Sequence, residues 1–182
     1  GQLAEAVVSF ERAIHCKPDN AEAHNNLGNV LKDQKQLDKA IKLIKKALSA
    51  SPENAAYLDS LGWAYYKLAK EDDGKIKLAL QKLIEASSYA EDPEIMGHLG
   101  DVYYSLGSWE EAQRQWEGAL GLWNKSVEEV PSYLKYETAR ELKAKKVIQN
   151  KLNKIRCLKM VESSKEKTIP EERVVANHNS NI

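Results

Sequence analysis

Apolar residues recur along the chain at helical spacing, in short stretches separated by polar turns. In the clearest stretch, Leu99 and Tyr103 share one face of a first helix, and Ala112 and Trp116 share one face of a second. Gly100 and Ala112 carry almost no side chain, so two helices could approach closely there and Trp116 could fill the gap beside them. The pattern predicts antiparallel pairs of amphipathic helices.

Turn and capping residues mark the ends of these predicted helices. Gly107 supplies a tight turn, whereas Lys35 stands at the corresponding turn where glycine is usual. We expect a backbone cost at Lys35 if its φ angle is positive. Asn20, Asn54 and Asp92 each precede a predicted helix and are residues that cap helix N-termini.

The paired pattern repeats with a fixed period. Equivalent residues stand 34 positions apart: Ala6 and Ala40, Ala13 and Ala47, Pro18 and Pro52, Gly28 and Gly62. This period, and the L-G-x2-Y…A-x3-F…A…P pattern, resemble the tetratricopeptide repeat (TPR) over roughly residues 1–124. The resemblance implies an all-α fold, a right-handed α-solenoid of antiparallel helix pairs with a C-terminal capping helix.

The repeat spacing divides the array into units. We predict the second half of a truncated repeat at 1–18 and complete repeats at 21–54, 55–91 and 93–124. The middle complete repeat carries five extra residues, which the Asp-Gly signal places in a turn at 71–74. The predicted helices are 3–17, 21–34, 37–51, 55–70, 75–90, 93–106 and 108–124.

Beyond Pro131 the repeat pattern stops. Residues 131–162 read as a basic amphipathic helix that caps the array, with its helical pattern beginning near residue 132. A nucleic-acid contact, an acidic-membrane contact or a coiled-coil seam are alternatives for it. Residues 163–182 lack periodicity and are predicted to be disordered. The apolar residues of the helix are Leu134, Leu142, Val147, Ile148, Leu152, Ile155 and Leu158, and its basic residues are Lys143, Lys145, Lys146, Lys151, Lys154, Arg156 and Lys159.

Charge is unevenly distributed in a chain of zero net charge. Residues 1–130 hold 15 basic and 21 acidic residues, a net charge of −6, and residues 131–182 hold 12 and 6, a net charge of +6. The basic tail could pair with the acidic array or bind a partner. Cys16 and Cys157 stand apart from any cluster and are expected to be buried or half-buried free thiols. They favour a reducing compartment such as the cytoplasm, although no localisation signal is visible.

Catalytic and cofactor-binding motifs are not found. The sequence has no nucleotide-binding glycine loop, no H-E-x-x-H and no G-x-S-x-G. His24 occupies the place where tryptophan is usual in this repeat, which favours a packed histidine over a metal ligand. We therefore predict a non-enzymatic protein that needs no cofactor and no metal.

The TPR resemblance implies that the first helix of each pair lines a concave groove, in which a peptide or helix of a partner protein would bind. Asparagine amides can donate to and accept from a peptide backbone of any sequence. Trp63, Tyr66 and Tyr104 offer rigid apolar area with a polar tip. The predicted groove residues are Asn25, Asn26, Asn29, Lys32, Asp59, Ser60, Trp63, Tyr66, Lys67, Gly97, His98, Asp101 and Tyr104.

Other functions are also compatible with the sequence. Residues 21–28 resemble repeats that precede protein glycosyltransferase domains, so the chain could be the regulatory or targeting arm of a larger enzyme, truncated upstream. RNA or an acidic membrane could bind the basic C-terminal helix instead. For the chain as a whole, a protein partner is favoured over nucleic acid. The apolar face of helix 3–17 could also support self-association. No apolar run approaches the ~20 residues of a membrane span.

Overall fold

A computed structural model describes residues 2–69, 74–128 and 138–166, which form eight α-helices and no strand. The chain divides into two units, residues 1–136 and 137–182. The first unit holds seven helices and the second holds one. The helices are α1 (Gln2–Cys16), α2 (Ala21–Asp33), α3 (Leu37–Ala50), α4 (Ala55–Leu68), α5 (Gly74–Tyr89), α6 (Pro93–Ser105), α7 (Trp109–Glu128) and α8 (Ala139–Glu166).

Helices of the first unit pack in sequence order, each against the next, from α1 to α7. In addition, α2 contacts α4 and α4 contacts α6. The first helices α2, α4 and α6 therefore form one row, and the second helices α3 and α5 pack against that row. This is the predicted α-solenoid of antiparallel helix pairs, and the prediction of its fold class is confirmed.

The core repeats one contact in each complete helix pair. A large side chain of the second helix lies directly on a glycine of the first, so close that a Cβ atom added at the glycine would come within 2.3 to 2.7 Å of it. Since real Cβ atoms do not approach so closely, only glycine permits this helix spacing. The three contacts join Gly28 to Ile44, Gly62 to Leu83, and Gly100 to Trp116.

Three of the first helices begin at the predicted capping residues. The side chain of Asn20 accepts a hydrogen bond from the backbone N–H of Ala23 at 3.0 Å, and Asn54 accepts one from Tyr57 at 3.1 Å. Asp92 caps α6, with a proline in the first turn. Each cap satisfies a backbone donor that the helix leaves unpaired, which fixes where the helix starts.

Two first helices end in the same backbone motif. After α6, Gly107 has φ 77° and the N–H of Ser108 donates to the carbonyl of Tyr103. After α2, Lys35 has φ 62° and the N–H of Gln36 donates to the carbonyl of Leu31. These are Schellman turns, which place one residue in the left-handed region. The backbone cost expected at Lys35 is therefore present, because lysine has a Cβ atom there and glycine has none.

The boundaries of α8 differ from those predicted from the sequence. The helix begins at Ala139, because Thr138 and Glu141 cap each other's backbone N–H groups at 2.8 and 3.1 Å. Residues 163–166, predicted to be disordered, belong to this helix. The predicted helical start near 132, the rest of the predicted tail and the five-residue insertion before Gly74 lie outside the described residues.

The apolar side of α8 is narrower than predicted. Ile148, Leu152 and Ile155 are buried, whereas Leu142 and Val147 are exposed. At 100° per residue, Leu142 lies about 120° from Ile148 around the helix, so the two could not share a narrow face. Leu134 lies outside the described residues.

Both cysteines are free and exposed, so the expectation of buried thiols was wrong. Each stands on the solvent side of its helix rather than on its packed side. At the start of the chain, Leu3 and Val8 on α1 are also exposed, at 47% and 46%. None of the described helices has the length and apolar character that crossing a bilayer requires.

Candidate partner-binding face

The predicted groove residues all lie on α2, α4 and α6, the row of first helices, and we call this set the groove face. Their exposure differs. Asn25 and Ser60 are buried, at 6% and 7% exposure, so neither is open to a molecule laid on the face. Lys67 is exposed. The half-buried members are Asn26, Asn29, Lys32, Asp59, Trp63, Tyr66, Gly97, His98, Asp101 and Tyr104.

A short polar chain joins α2 to α4. The ammonium of Lys32 donates to Oδ1 of Asn29 at 2.8 Å, and Nδ2 of Asn29 donates to Oγ of Ser60 at 3.2 Å. Ser60 is thus used inside the protein, as the acceptor for an amide of the preceding repeat. The hydrogen bonds fix the Asn29 amide, so its orientation is set before any partner arrives.

A hydrogen bond and a ring stack join α4 to α6. Nδ1 of His98 lies 2.7 Å from Oδ1 of Asp59. The imidazole also stacks on the indole of Trp63, with ring centroids 4.0 Å apart and planes at 18°. Tyr66 stacks on the same indole at 4.8 Å, and the ammonium of Lys67 lies 4.6 Å from its centroid. Trp63 is therefore held on the face by three neighbours of the array.

The far end of the groove face is fixed by α6 and α7. The hydroxyl of Tyr66 hydrogen-bonds Oγ of Ser105 at 2.9 Å, again joining α4 to α6. Nε1 of the buried Trp116 donates to Oδ1 of Asp101 at 3.1 Å. The ring of Tyr104 lies 5.7 Å from that of Trp116, tilted by 37°. Trp116 therefore packs on α6, the preceding helix.

Charges of both signs meet at this face. Burial lowers the pKa of Lys32, and the positive charge of Lys67 acts in the same direction. The carboxylates of Asp33, Asp59 and Glu94 act in the opposite direction. These groups come from α2, α4 and α6, so an electrostatic contact made at one repeat is felt at the next.

Two residues of the face were missed by the sequence analysis as binding residues. Glu94 lies one turn before His98, and Ser105 lies one turn after Asp101 on the same side of α6. Extending the i, i+4 spacing of the predicted α6 residues in both directions would have found them. The signal was present in the sequence.

His24 and Asn25 are neighbours on α2, and both side chains are buried. His24 is buried, and its Nε2 donates to the carbonyl of Pro18 at 2.8 Å, as predicted for a packed histidine. Nδ1 of His24 and Oδ1 of Asn25 are buried without a hydrogen-bond partner among the described residues. Within that same part of the chain, no three His, Cys, Asp or Glu residues are arranged to hold a metal ion.

Comparison with known families identifies the repeats. A profile described as "TPR repeat" matches residues 1–35, and one described as "Tetratricopeptide repeat" matches residues 21–54. Three curated relatives align over much of the chain. The TPR repeat-containing protein PA4667 of Pseudomonas aeruginosa is 36% identical over 54% of this chain. The TPR repeat-containing protein MJ1428 of Methanocaldococcus jannaschii is 31% identical over 62%. A probable UDP-N-acetylglucosamine–peptide N-acetylglucosaminyltransferase, SPINDLY of Hordeum vulgare, is 34% identical over 70%.

All three relatives are much longer than the aligned segment. The chain covers 16%, 19% and 13% of their respective lengths. The alignments therefore match this chain to a short segment of each relative, and most of each relative has no counterpart in the chain.

Solved structures match the fold. TTC0263, a thermophilic TPR protein of Thermus thermophilus, superposes with a TM-score of 0.59 at 23% identity, over 66% of each chain. MamA superposes with a TM-score of 0.58 at 22% identity, over 91% of this chain and 92% of its own. At such sequence identities the superpositions show a shared backbone fold and say nothing about the groove-face side chains.

Proposed function

Since the chain belongs to the tetratricopeptide repeat family and is built as a scaffold for protein interactions, we propose that it is non-enzymatic and binds a partner in the concave groove formed by its first helices. The partner is an extended peptide or a helix of another protein. The groove face supplies amides, aromatic rings and charges of both signs from three successive helices.

The observation that carries this proposal is the set of hydrogen bonds and ring stacks that join side chains of neighbouring repeats along the groove face. Asn29 reaches Ser60, Asp59 and Trp63 reach His98, and each contact joins one repeat to the next. Side chains held in this way lose little conformational freedom when a partner binds. Preorganisation of this kind lowers the entropic cost of association, which is about 0.5–1.5 kcal/mol for each flexible side chain that must be immobilised.

Each of the three first helices carries a group that can contact a partner. The amide of Asn26 is half-buried, and the ammonium of Lys67 projects from the exposed side of the Trp63 stack. The ring of Tyr104 offers a rigid apolar surface supported from below by Trp116. An amide on α2, a cation on α4 and an aromatic ring on α6 suit a polypeptide with a hydrogen-bonding backbone and at least one apolar and one acidic side chain.

Truncation of the aromatic residues tests the proposal. A peptide ligand is first selected against the wild-type protein from a displayed random library, and its affinity is measured by fluorescence anisotropy. We expect the double variant Trp63→Ala/Tyr104→Ala to bind at least tenfold more weakly, because rigid aromatic residues carry much of the energy of an interface. Circular dichroism should show nearly unchanged helical content.

Tyr89→Ala is the matched control. Tyr89 is an aromatic residue at the end of α5, outside the groove face, and is 49% exposed. It should leave affinity within twofold of wild type. Undiminished binding by a folded Trp63→Ala/Tyr104→Ala protein would remove the groove proposal.

A second candidate rests on the relative from Hordeum vulgare. Because a protein named as a probable peptide N-acetylglucosaminyltransferase carries repeats 34% identical to this chain, the array could serve as the targeting arm of such an enzyme. The chain would then hold the protein to be modified while another domain performs the transfer. Sequencing the full-length transcript decides between the two, since a transferase domain in the same reading frame supports the arm and its absence from the complete frame contradicts it.

A further inference from the structure

A line of lysines occupies the solvent side of α3 and takes no part in the groove face. Lys39, Lys42 and Lys46 follow one another at helical spacing, and Lys35 precedes them in the turn. All four are exposed. We call Lys35, Lys39, Lys42 and Lys46 the lysine stripe. The packed side of α3, formed by Ala40, Ile41, Ile44 and Ala47, points the other way.

The stripe is strongly charged for so small a surface. Residues 35–46 contain five lysines and one aspartate, a net charge of +4 in a chain whose net charge is zero. In the described part of the chain no ion pair is formed by any stripe lysine, and the ammonium of Lys39 donates to the uncharged side chain of Gln36. Within α3, Lys39, Lys42 and Lys46 span about 10 Å along the axis.

Folding does not account for this arrangement. Like charges three or four positions apart on a helix destabilise it by a few tenths of a kcal/mol for each pair. The corresponding side of α7 shows the usual solution, in which Glu110, Arg114, Glu117 and Lys125 mix the two signs. On α3 the acidic member is Asp38, four positions before Lys42, and four lysines of the helix outnumber it, so the solvent side attracts negative charge.

We propose that the lysine stripe is a second interaction surface, which binds an acidic segment of a partner polypeptide. Aspartate or glutamate residues repeated every three or four positions on a partner helix have the same spacing as the stripe. Charge complementarity of this kind mainly speeds encounter and selects the partner. The surface lies on a second helix, so the acidic segment and a ligand of the groove face can bind together.

Two other anionic partners fit the stripe less well. Single-stranded nucleic acid binds where aromatic residues stack on the bases, and the solvent side of α3 carries no aromatic residue. A bilayer surface attracts basic helices whose other exposed residues are apolar, and the large exposed hydrophobic residues lie on other elements. Lysine ammonium groups also lack the planar fork with which arginine grips phosphate.

Charge reversal on α3 tests the proposal. The probe is a fluorescein-labelled helical peptide with glutamate at every third and fourth position, and binding is followed by anisotropy at low and at physiological ionic strength. We expect K39E/K42E/K46E to weaken binding at least tenfold. The matched control K143E/K146E/R156E removes three exposed basic residues of α8 for the same change in net charge, and should stay within twofold of wild type. Equal weakening by both variants would show attraction to overall charge and overturn the proposal.

Stability separates recognition from a structural role. Lys39→Glu places a carboxylate in the first turn of α3 and opposite charges at i, i+3 with Lys42, so its thermal midpoint should rise while binding of the acidic peptide falls. If the thermal midpoint falls and binding stays unchanged, the stripe serves the fold and the proposal is wrong. A (dT)20 oligonucleotide and vesicles containing phosphatidylserine are measured in parallel, and tighter binding of either one than of the peptide would likewise overturn it.

Discussion

Lys32 carries a positive charge that the surrounding first helices partly remove from water. Burial lowers its pKa from the usual value of 10.5, and nearby carboxylates only partly offset that effect. The unfolded chain therefore binds more protons than the folded one as pH approaches the usual lysine value from below. Folding disfavours the charged form of the buried Lys32 amine. The free energy of unfolding should therefore rise as the pH increases and Lys32 loses its proton in the folded state before it does so in the unfolded state.

The variant Lys32→Met removes this titration. We expect the free energy of unfolding of wild type, relative to Lys32→Met, to increase as the pH rises toward the usual lysine pKa of 10.5. Urea unfolding at several pH values measures the difference. A difference that stays flat with pH would mean that Lys32 is well solvated in the folded protein.

At some positions of the array a neighbouring side chain leaves room only for glycine, and at others a larger residue would fit. A Cβ atom on Gly100 would meet Trp116 at 2.3 Å, whereas nothing lies within 4 Å of one on Gly121. We expect Gly100→Ala to lose roughly 1–3 kcal/mol of unfolding free energy through overpacking. Gly121→Ala should gain about 0.5–1 kcal/mol, because alanine stabilises a helix interior.

Chemical denaturation of the two variants against wild type measures both values. The pair is informative because the same chemical change is made in two helices of one solenoid. Equal effects in the two variants would contradict the close approach of α6 and α7 at Gly100.

At the residue scale, the sequence predicted those features that depend on the geometry of a single helix. The spacing that placed Asn29, His98 and Asp101 on first helices required only the period of an α-helix. It could not predict that Asn25 is buried or that Ser60 accepts from Asn29, because these depend on how the neighbouring repeat packs. The stack of Trp63 on His98 likewise depends on two residues that lie 35 positions apart in the sequence.

At the scale of the helix, the ends of α2 and α6 show how one motif tolerates two residues. Both end in a Schellman turn, with Lys35 at φ 62° in one and Gly107 at φ 77° in the other. We expect Lys35→Gly to raise unfolding free energy by about 1 kcal/mol, since a side chain in the left-handed region costs about 1–2 kcal/mol. Gly107→Ala should lower it by a similar amount, and thermal or urea unfolding will show whether the signs are opposite.

Helix boundaries were predictable wherever a short local signal sets them. Asn20, Asn54 and Asp92 stand one residue before their helices because a side-chain oxygen there pairs with a backbone donor. At Ala139, where α8 begins, Thr138 and Glu141 carry the same kind of signal, and the sequence analysis did not use it. Exposure along α8 was also misjudged, since a list of apolar residues does not fix which ones share a face.

At the scale of the whole molecule, the 34-residue period predicted the solenoid because each repeat buries its apolar face on the next. The period relates Gly28 to Gly62, and the L-G-x2-Y motif places Gly100, 38 positions further on, at the equivalent contact. The identity of a partner does not follow from it, since repeats of one architecture bind many unrelated molecules. What the period does predict is a row of first helices, and the side chains of that row determine what can bind.

The most direct test of the central claim is to map where a selected peptide binds, by nuclear magnetic resonance titration of the isotopically labelled chain. Backbone and indole signals of α2, α4 and α6 should shift, with the largest changes around Asn26, Lys67 and Tyr104. Signals of the solvent side of α5 should remain in place. Shifts confined to α1, α3 or α8, with the first helices unchanged, would contradict the account.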